Sequence, residues 1–154
     1  MAPDGSVRIP RVFFDADVLV AGSASTSGAS HALLRTCGAT ILHGLCSAGV
    51  VTEARRTIVE KIPSALPQLD AMVAECLTVV PNPKEEDLQP YSGWAALDDL
   101  PHFVAATMND CGFFVTFNRR HYYPKAGRPS IILPSQLLLR LRRSVAEMLF
   151  TGET

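Results

Sequence analysis

The sequence predicts an α/β protein in which a parallel sheet of about five strands lies between two layers of helices. Short apolar runs alternate with longer segments of helical periodicity along the 154 residues. Such alternation is typical of right-handed crossovers between parallel strands. The composition, 47% hydrophobic and 19% charged, is ordinary for a globular protein of this length. We therefore predict one domain over residues 1–154, in which residues 1–10 form a loose N-terminal arm.

The first predicted strand covers residues 11–14 and is apolar and aromatic up to Asp15. Asp17 follows two residues later, before a second apolar run at 18–20. In open parallel sheets the ligand crevice lies outside the carboxyl ends of the strands, and two carboxylates so close together repel unless a cation lies between them. A divalent metal site is one interpretation. Because Asp is also common in helix caps and turns, a structural role is the other.

The next segments are small-residue-rich and then helical in pattern. Residues 21–30 lack the Gly-Lys-Ser/Thr ending of a phosphate loop, so we predict a flexible loop in which Ser27 or Ser30 caps a helix over 29–46, with Gly38 as a weak point. A second strand is predicted at 48–52, and Glu53 then opens a helix to residue 61. An acid in a first helical turn is also favourable against the helix dipole, so both a structural and a functional role stay open for Glu53.

The second half continues the alternation. We predict a helix at 64–74, a strand at 77–80, an irregular region at 84–93, and Trp94 as a packing anchor. Asp98 or Asp99 caps a further helix that Gly112 ends. Strands follow at 113–116 and 130–133, separated by a basic loop. Pro134 begins a last helix whose predicted buried stripe consists of Leu137, Leu138, Leu141, Val145 and Leu149.

Charge is distributed unevenly over the chain. Residues 118–154 hold seven Lys or Arg against two acids, a net +5, so that the first 117 residues carry −6 of the total of −1. Metal-binding carboxylates beside a phosphate-contacting rim would give this asymmetry, and so would solvated helix faces. We expect a cytoplasmic location and no membrane span, since no long apolar run or signal peptide is visible. The four cysteines have no metal-ligand spacing and are expected to be buried free thiols.

Short motifs place an Asp, Glu or Asn after predicted strands or at the start of a predicted helix. They are FFDADVLVAG at the first strand, VVTEARRTIVEKIP after the second, LDDLPHFVAAT at a later helix, FVTFNRRHY at the fourth strand, and a closing Leu-Pro-x-x-Leu-Leu. In this order and spacing they resemble the PIN-domain family of metal-dependent nucleases, which includes VapC-type toxins. The resemblance covers nearly the whole chain and implies the three-layer PIN-like fold. The chain departs from the family pattern at Asn118, where most members carry a fourth acid, and at Phe117, where they carry Gly.

The resemblance implies roles for individual residues. It makes Asp15, Glu53 and Asp99 the catalytic, metal-binding acids for Mg²⁺ or Mn²⁺, with Asn118 as a weaker ligand. Supporting roles fall to Asp17, Thr116 and, as the less favoured member of its pair, Asp98. The residues expected to contact RNA are basic ones around the site, namely Arg119, Arg120, His121, Lys125 and Arg128. For His121 a turn role is favoured over a phosphate contact, and Tyr122 and Tyr123 are assigned to packing rather than base stacking.

These roles together predict a divalent-metal-dependent endoribonuclease that cleaves single-stranded RNA. The resemblance also suggests the toxin of a toxin–antitoxin pair, which makes an antitoxin protein and a second copy of the chain candidate partners beside RNA. The alternative is a non-catalytic RNA-binding or protein-binding PIN module whose acidic site has degenerated at Asn118. The response to divalent ions separates the two hypotheses, because a nuclease should bind Mn²⁺ and be stabilised by it.

Overall fold

The structure, a computed structural model, describes residues 8–151 of the chain. The first seven residues of the predicted N-terminal arm lie outside this range, and residues 8–10 belong to no helix or strand. Five strands form one parallel sheet in the order β3-β2-β1-β4-β5, which confirms the predicted sheet. The strands are β1 (Arg11–Phe14), β2 (His43–Ser47), β3 (Leu77–Val80), β4 (Phe113–Val115) and β5 (Ser130–Ile132).

Helices cover both faces of the sheet, as expected for a three-layer α/β/α fold. They are α1 (Ala16–Ala24), α2 (Ala29–Gly38), α3 (Ala48–Lys61), α4 (Leu66–Cys76), α5 (Glu85–Leu88), α6 (Leu100–Met108) and α7 (Pro134–Thr151). Short 3₁₀ turns occupy Pro63–Ala65, Gln89–Tyr91 and Arg119–His121. Within residues 8–151, no helix has the length and apolar character needed to cross a membrane.

The central strand β1 is in the core. Val12, Phe13 and Phe14 are fully buried, and the ring of Phe13 stacks on Phe114 of β4 with centroids 5.3 Å apart. Since β1 pairs with β2 on one side and β4 on the other, its carboxyl end lies in the middle of the sheet edge. Asp15 is the first residue after that end, where the sequence predicted it.

The loop predicted over 21–30 is shorter in the structure, because α1 covers Ala16–Ala24 and α2 begins at Ala29, so that only residues 25–28 lie between the helices. Asp15 is the N-cap of α1 and accepts a hydrogen bond from the backbone N–H of Ala16. The next helix, α2, is capped by neither Ser27 nor Ser30, since Gly28 occupies its N-cap position without a side-chain bond. The small residues between the helices permit close packing, as a Cβ at Gly22 would lie 2.6 Å from Leu34.

The predicted helix over 29–46 and strand over 48–52 are also wrong. The helix α2 ends at Gly38, and β2 then occupies His43–Ser47. Gly44 of this strand has no room for a side chain. A Cβ at this position would lie 2.8 Å from the sulfur of Cys37 and 2.9 Å from Leu77. Ser47 caps α3 by accepting from the N–H of Val50. Glu53 therefore lies in the second turn of α3 rather than at its start.

Several other predicted boundaries shift. The helix predicted at 64–74 is α4, two residues further on, and the region predicted to be irregular at 84–93 contains α5 and a 3₁₀ turn. Helix α6 ends at Met108 instead of Gly112. In α7, Leu137 is buried and Leu138 and Leu141 are partly buried, but the outer two members of the predicted stripe are exposed, Val145 by 48% and Leu149 by 67%.

The cysteines and the tryptophan are placed as predicted. Cys37, Cys46, Cys76 and Cys111 are free and buried, and burial raises the pKa of the Cys46 thiol to about 12. The half-buried Trp94 packs against Tyr91 and Phe103, with ring centroids 5.1 and 6.0 Å away.

Candidate functional site

The carboxyl ends of β1 and β4 bring four polar side chains together. Asp15 and Asp17 follow β1, and Thr116 and Asn118 follow β4, which is its direct neighbour in the sheet. The hydroxyl of Thr116 donates to Oδ2 of Asp15 at 2.8 Å and lies 3.5 Å from Oδ2 of Asp17. This hydroxyl therefore links the two carboxylates, which the sequence predicted to lie in one site.

Asp15 is 5% exposed, and hydrogen bonds occupy both of its oxygens. Oδ1 accepts from the backbone N–H of Ala16 at 2.9 Å. Oδ2 accepts from the hydroxyls of Thr116 and Tyr122, each at 2.8 Å. Three donors on one side chain fix the orientation of its carboxyl group. Asp15 is thus buried and preorganised.

Asp17 differs from Asp15 in that only one of its two carboxyl oxygens accepts hydrogen bonds from the described residues. Its Oδ2 accepts from the backbone N–H of Phe117 at 3.0 Å and from the side-chain amide of Asn118 at 3.1 Å. Its Oδ1 is buried without a hydrogen-bond partner among the described residues. Burial and the neighbouring charge of Asp15 raise the pKa of Asp17 to about 7. Among residues 8–151, no basic side chain forms an ion pair with Asp17.

Asp99 approaches the same edge from the start of α6. It holds the N-cap position without using its side chain as a cap, and its Oδ2 lies 3.0 Å from Nδ1 of His121. Burial and the charge of Asp15 raise the pKa of Asp99. Backbone bonds between residues 94–96 and 121–123 fix this pairing, including an isolated antiparallel bridge between Ala95 and Tyr122. Asp98, by contrast, is exposed.

Glu53 reaches the site through a histidine. Its Oε2 lies 2.7 Å from Nε2 of His102, a residue of α6 that is 6% exposed. The hydrogen bond to His102 lowers the pKa of Glu53, and burial opposes that change. For His102, burial lowers the pKa, but the bond to Glu53 and the charges of Asp15, Glu53 and Asp99 outweigh it and raise the pKa. His102 is therefore electrostatically coupled to all three predicted metal-binding acids.

The five predicted RNA-contacting residues are divided between two regions. Arg119, Arg120 and His121 line an open groove of about 1000 Å³ beside the acids, and Lys125 is exposed in the loop that follows. Arg128 lies elsewhere: its guanidinium is 3.2 Å from the position of a Cβ at Gly112, just before β4 begins. The structure therefore places Arg128 at the amino edge of the sheet, a strand length away from the acids.

The donor set fits a divalent cation such as Mg²⁺ or Mn²⁺. Carboxylate oxygens are the ligands that hard cations prefer. Among the described residues, Oδ1 of Asp17 is buried without a partner beside the carboxyl group of Asp15, and a cation would be favourable there. Within residues 8–151, no three His, Cys, Asp or Glu side chains already form a compact metal cage. Glu53 and Asp99 are instead turned toward His102 and His121.

Two residues of the site were missed by sequence reasoning. His102 follows Asp99 by three residues in α6, a spacing that places both on one helix face and could have revealed it. Tyr122 was assigned to packing. Its ring does pack against Phe114, with centroids 4.6 Å apart, but its hydroxyl also bonds Asp15. Nothing in the sequence around Tyr122 indicates that bond, which arises from the fold.

The carboxylates gather at the carboxyl edge of a parallel sheet, which is where open α/β proteins generally bind their ligands. A family model described as PIN domain matches residues 11–120, which contain all the acids discussed above. The chain therefore belongs to the PIN-domain family, whose members are generally nucleases. No curated protein matched the chain.

Proposed function

We propose that the protein is a Mg²⁺- or Mn²⁺-dependent endoribonuclease that acts on single-stranded RNA. The observation that carries the proposal is the pair of neighbouring carboxylates, Asp15 and Asp17, of which one is fully hydrogen-bonded and the other keeps a buried oxygen without a partner. Such a pair favours a cation between or beside its members. Asp99 senses the charge of Asp15, and Glu53 is linked to the same acids through His102. Both side chains would turn away from their histidines to bind the cation.

Hydrolysis of a phosphodiester adds water across one P–O bond and leaves a phosphomonoester and a hydroxyl. When bound, the divalent ion supplies an activated water and relieves charge on the phosphate. The chain's own residues do the positioning. Thr116 and Tyr122 hold Oδ2 of Asp15, and the N–H of Phe117 holds Asp17. Arg119 and Arg120 face the groove, where they can contact the RNA backbone.

The neighbours Asp98 and Asp99 provide a matched test. A labelled, unstructured RNA is incubated with the wild type, Asp99→Asn and Asp98→Asn, each in EDTA, Mg²⁺ and Mn²⁺. We expect cleavage only with a metal and a loss of about tenfold or more in Asp99→Asn. Asp98→Asn should cleave at the wild-type rate, because Asp98 is exposed whereas Asp99 is partly buried and senses the charge of Asp15. Metal-independent cleavage, or equal losses in the two variants, would contradict the proposal.

One contact favours the second candidate function, a non-catalytic module. The amide of Asn118 donates to Oδ2 of Asp17 and so supplies part of the compensation that a cation would give. For such a module we expect no cleavage and no increase of the melting temperature with Mn²⁺. The narrower role of toxin in a toxin–antitoxin pair rests on family resemblance alone, and co-purification with the product of a neighbouring small gene would test it.

A further inference from the structure

The amino edge of the sheet, opposite the acids, carries a cleft of about 490 Å³ lined by arginines. It lies where β1, β4 and β5 begin. Its basic residues are Arg8, Arg11, Arg128 and Arg140, and its one acidic lining residue is Asp110. In the part of the chain that the structure describes, none of the four arginines makes an ion pair. Among the described residues, the cleft therefore holds four arginines against one carboxylate, a clear excess of positive charge.

Arg11 is held in place without losing its charge. Its Nε donates to the carbonyl oxygen of Asn109 at 2.9 Å, and its Nη1 donates to Nδ1 of His43 at 2.9 Å. Since a guanidinium only donates, Nδ1 of His43 must be the acceptor and the ring must be neutral. Burial and the charge of Arg11 lower the pKa of His43, in agreement with that assignment. Both bonds fix the guanidinium, and neither acceptor carries a negative charge.

Two further guanidiniums converge on the start of β4. That of Arg140, on α7, lies over the ring of Phe113 at 5.1 Å from its centroid. That of Arg128 lies against Gly112, where the absence of a side chain makes room for it. Neither contact supplies negative charge. Planar guanidiniums arranged around one cleft match the oxygens of a phosphate group, which they can bind in a bidentate manner.

We propose that this amino-edge cleft is a second phosphate-binding site, separate from the acidic edge, for a phosphate carried by an RNA backbone or by a free nucleotide. The groove beside the acids and the cleft share Gly127 and Ser130 as lining residues. A nucleic acid strand could therefore pass along β5, the last strand of the sheet, from one edge to the other. The RNA source rests on the proposed function, whereas phosphate binding as such does not.

The test compares two double variants of equal charge. Arg128→Gln with Arg140→Gln removes two cleft arginines, and Arg142→Gln with Arg143→Gln removes two exposed arginines of the same helix α7 outside the cleft lining. All proteins are first shown to melt at the wild-type temperature. Binding of a labelled, unstructured twelve-nucleotide RNA is measured by anisotropy in EDTA at several salt concentrations, and binding of inorganic pyrophosphate is measured by calorimetry.

If the phosphate comes from RNA, the double variant of the cleft, Arg128→Gln with Arg140→Gln, should lower RNA affinity about fivefold or more. The slope of log affinity against log salt concentration should fall by about 1.4, which corresponds to two lost phosphate contacts to a single strand. The control double variant, Arg142→Gln with Arg143→Gln, should have less than half that effect. If the phosphate comes from a nucleotide, pyrophosphate should bind the wild type and the control double variant but not the double variant of the cleft. The proposal is overturned if neither RNA nor pyrophosphate distinguishes the two double variants. Because EDTA prevents metal-dependent cleavage, failure of the nuclease proposal would leave this result interpretable.

Discussion

The two edges of the sheet carry opposite charge, and they differ in burial. At the carboxyl edge Asp15 is buried and Asp17 is partly buried with a raised pKa. At the amino edge Arg8, Arg128 and Arg140 are exposed. An uncompensated charge in a buried position destabilises the folded state, whereas an exposed one has water around it. Removing charge should therefore change stability at the acidic edge and have little effect on it at the basic edge.

The largest effect is expected for Asp15→Asn. We predict a loss of about 100-fold or more in Mn²⁺-dependent RNA cleavage, because the variant removes the central carboxylate of the proposed site. An asparagine has one acceptor oxygen for the three donors that Asp15 satisfies, so stability should fall by about 1 kcal/mol. Cleavage and denaturant unfolding of the same preparation measure both effects. Cleavage at the wild-type rate would remove Asp15 from the metal site.

The basic rim of the acidic edge should matter next. Arg119→Ala with Arg120→Ala is expected to weaken RNA binding about tenfold and to reduce the salt slope by about 1.4, with base preference unchanged, because phosphate contacts carry no sequence information. Anisotropy titrations at several salt concentrations with two RNA sequences measure both quantities. An unchanged slope would place the RNA path elsewhere on the surface.

The variants Asp17→Asn and Arg128→Gln compare how the charges at the two edges affect stability. Without metal, at pH 8, we expect Asp17→Asn to raise the free energy of unfolding by about 1 kcal/mol, because the raised pKa of Asp17 means that its ionised form destabilises the fold at that pH. The amide oxygen can still accept from the N–H of Phe117. Arg128→Gln, at the other edge, should leave the value within about 0.5 kcal/mol. Urea unfolding of both variants checks the contrast, and a destabilised Asp17→Asn would show that its charge is already compensated.

The smallest effect is expected for Asn118→Asp. The change restores a carboxylate where the chain departs from the family pattern, and it removes the amide that donates to Asp17. We predict that Asn118→Asp raises the affinity for Mn²⁺ and the cleavage rate about threefold. Without metal, the free energy of unfolding should fall, because the added carboxylate repels the neighbouring acids. Calorimetry and a cleavage assay on both forms measure this. If affinity, stoichiometry and rate stay unchanged, Asn118 lies outside the metal site.

The sequence predicted those parts of the fold in which local pattern and tertiary role agree. The run at 11–14 is apolar, ends on Asp15 and forms the central buried strand. The second strand was predicted at 48–52 instead of His43–Ser47. Helical spacing of apolar residues continues past Gly38, and Gly44 disfavours a strand by its own propensity. Only the close approach of Cys37 and Leu77 explains that glycine, and such contacts do not exist until the chain has folded.

The same limit applies to the site. Acids placed directly after strands, Asp15 and Asp17, were predicted because strand ends meet at one edge of a parallel sheet. The partners of these acids come from distant segments: Tyr122 reaches Asp15 across 107 positions, and His102 reaches Glu53 across 49. Arg128 was grouped with the other basic residues by its position in the loop, although the loop carries it to the opposite edge of the sheet. Sequence proximity was a poor guide there.

The central claim is that Asp15 and Asp17 form a divalent cation site at the carboxyl edge, and calorimetric titration with Mn²⁺ tests it most directly. Wild type, Asp17→Asn and Arg128→Gln are compared at pH 7.5. We predict that Mn²⁺ binds the wild type and Arg128→Gln with the same affinity and binds Asp17→Asn about tenfold or more weakly. Equal binding by all three proteins, or no binding by the wild type, would contradict the claim.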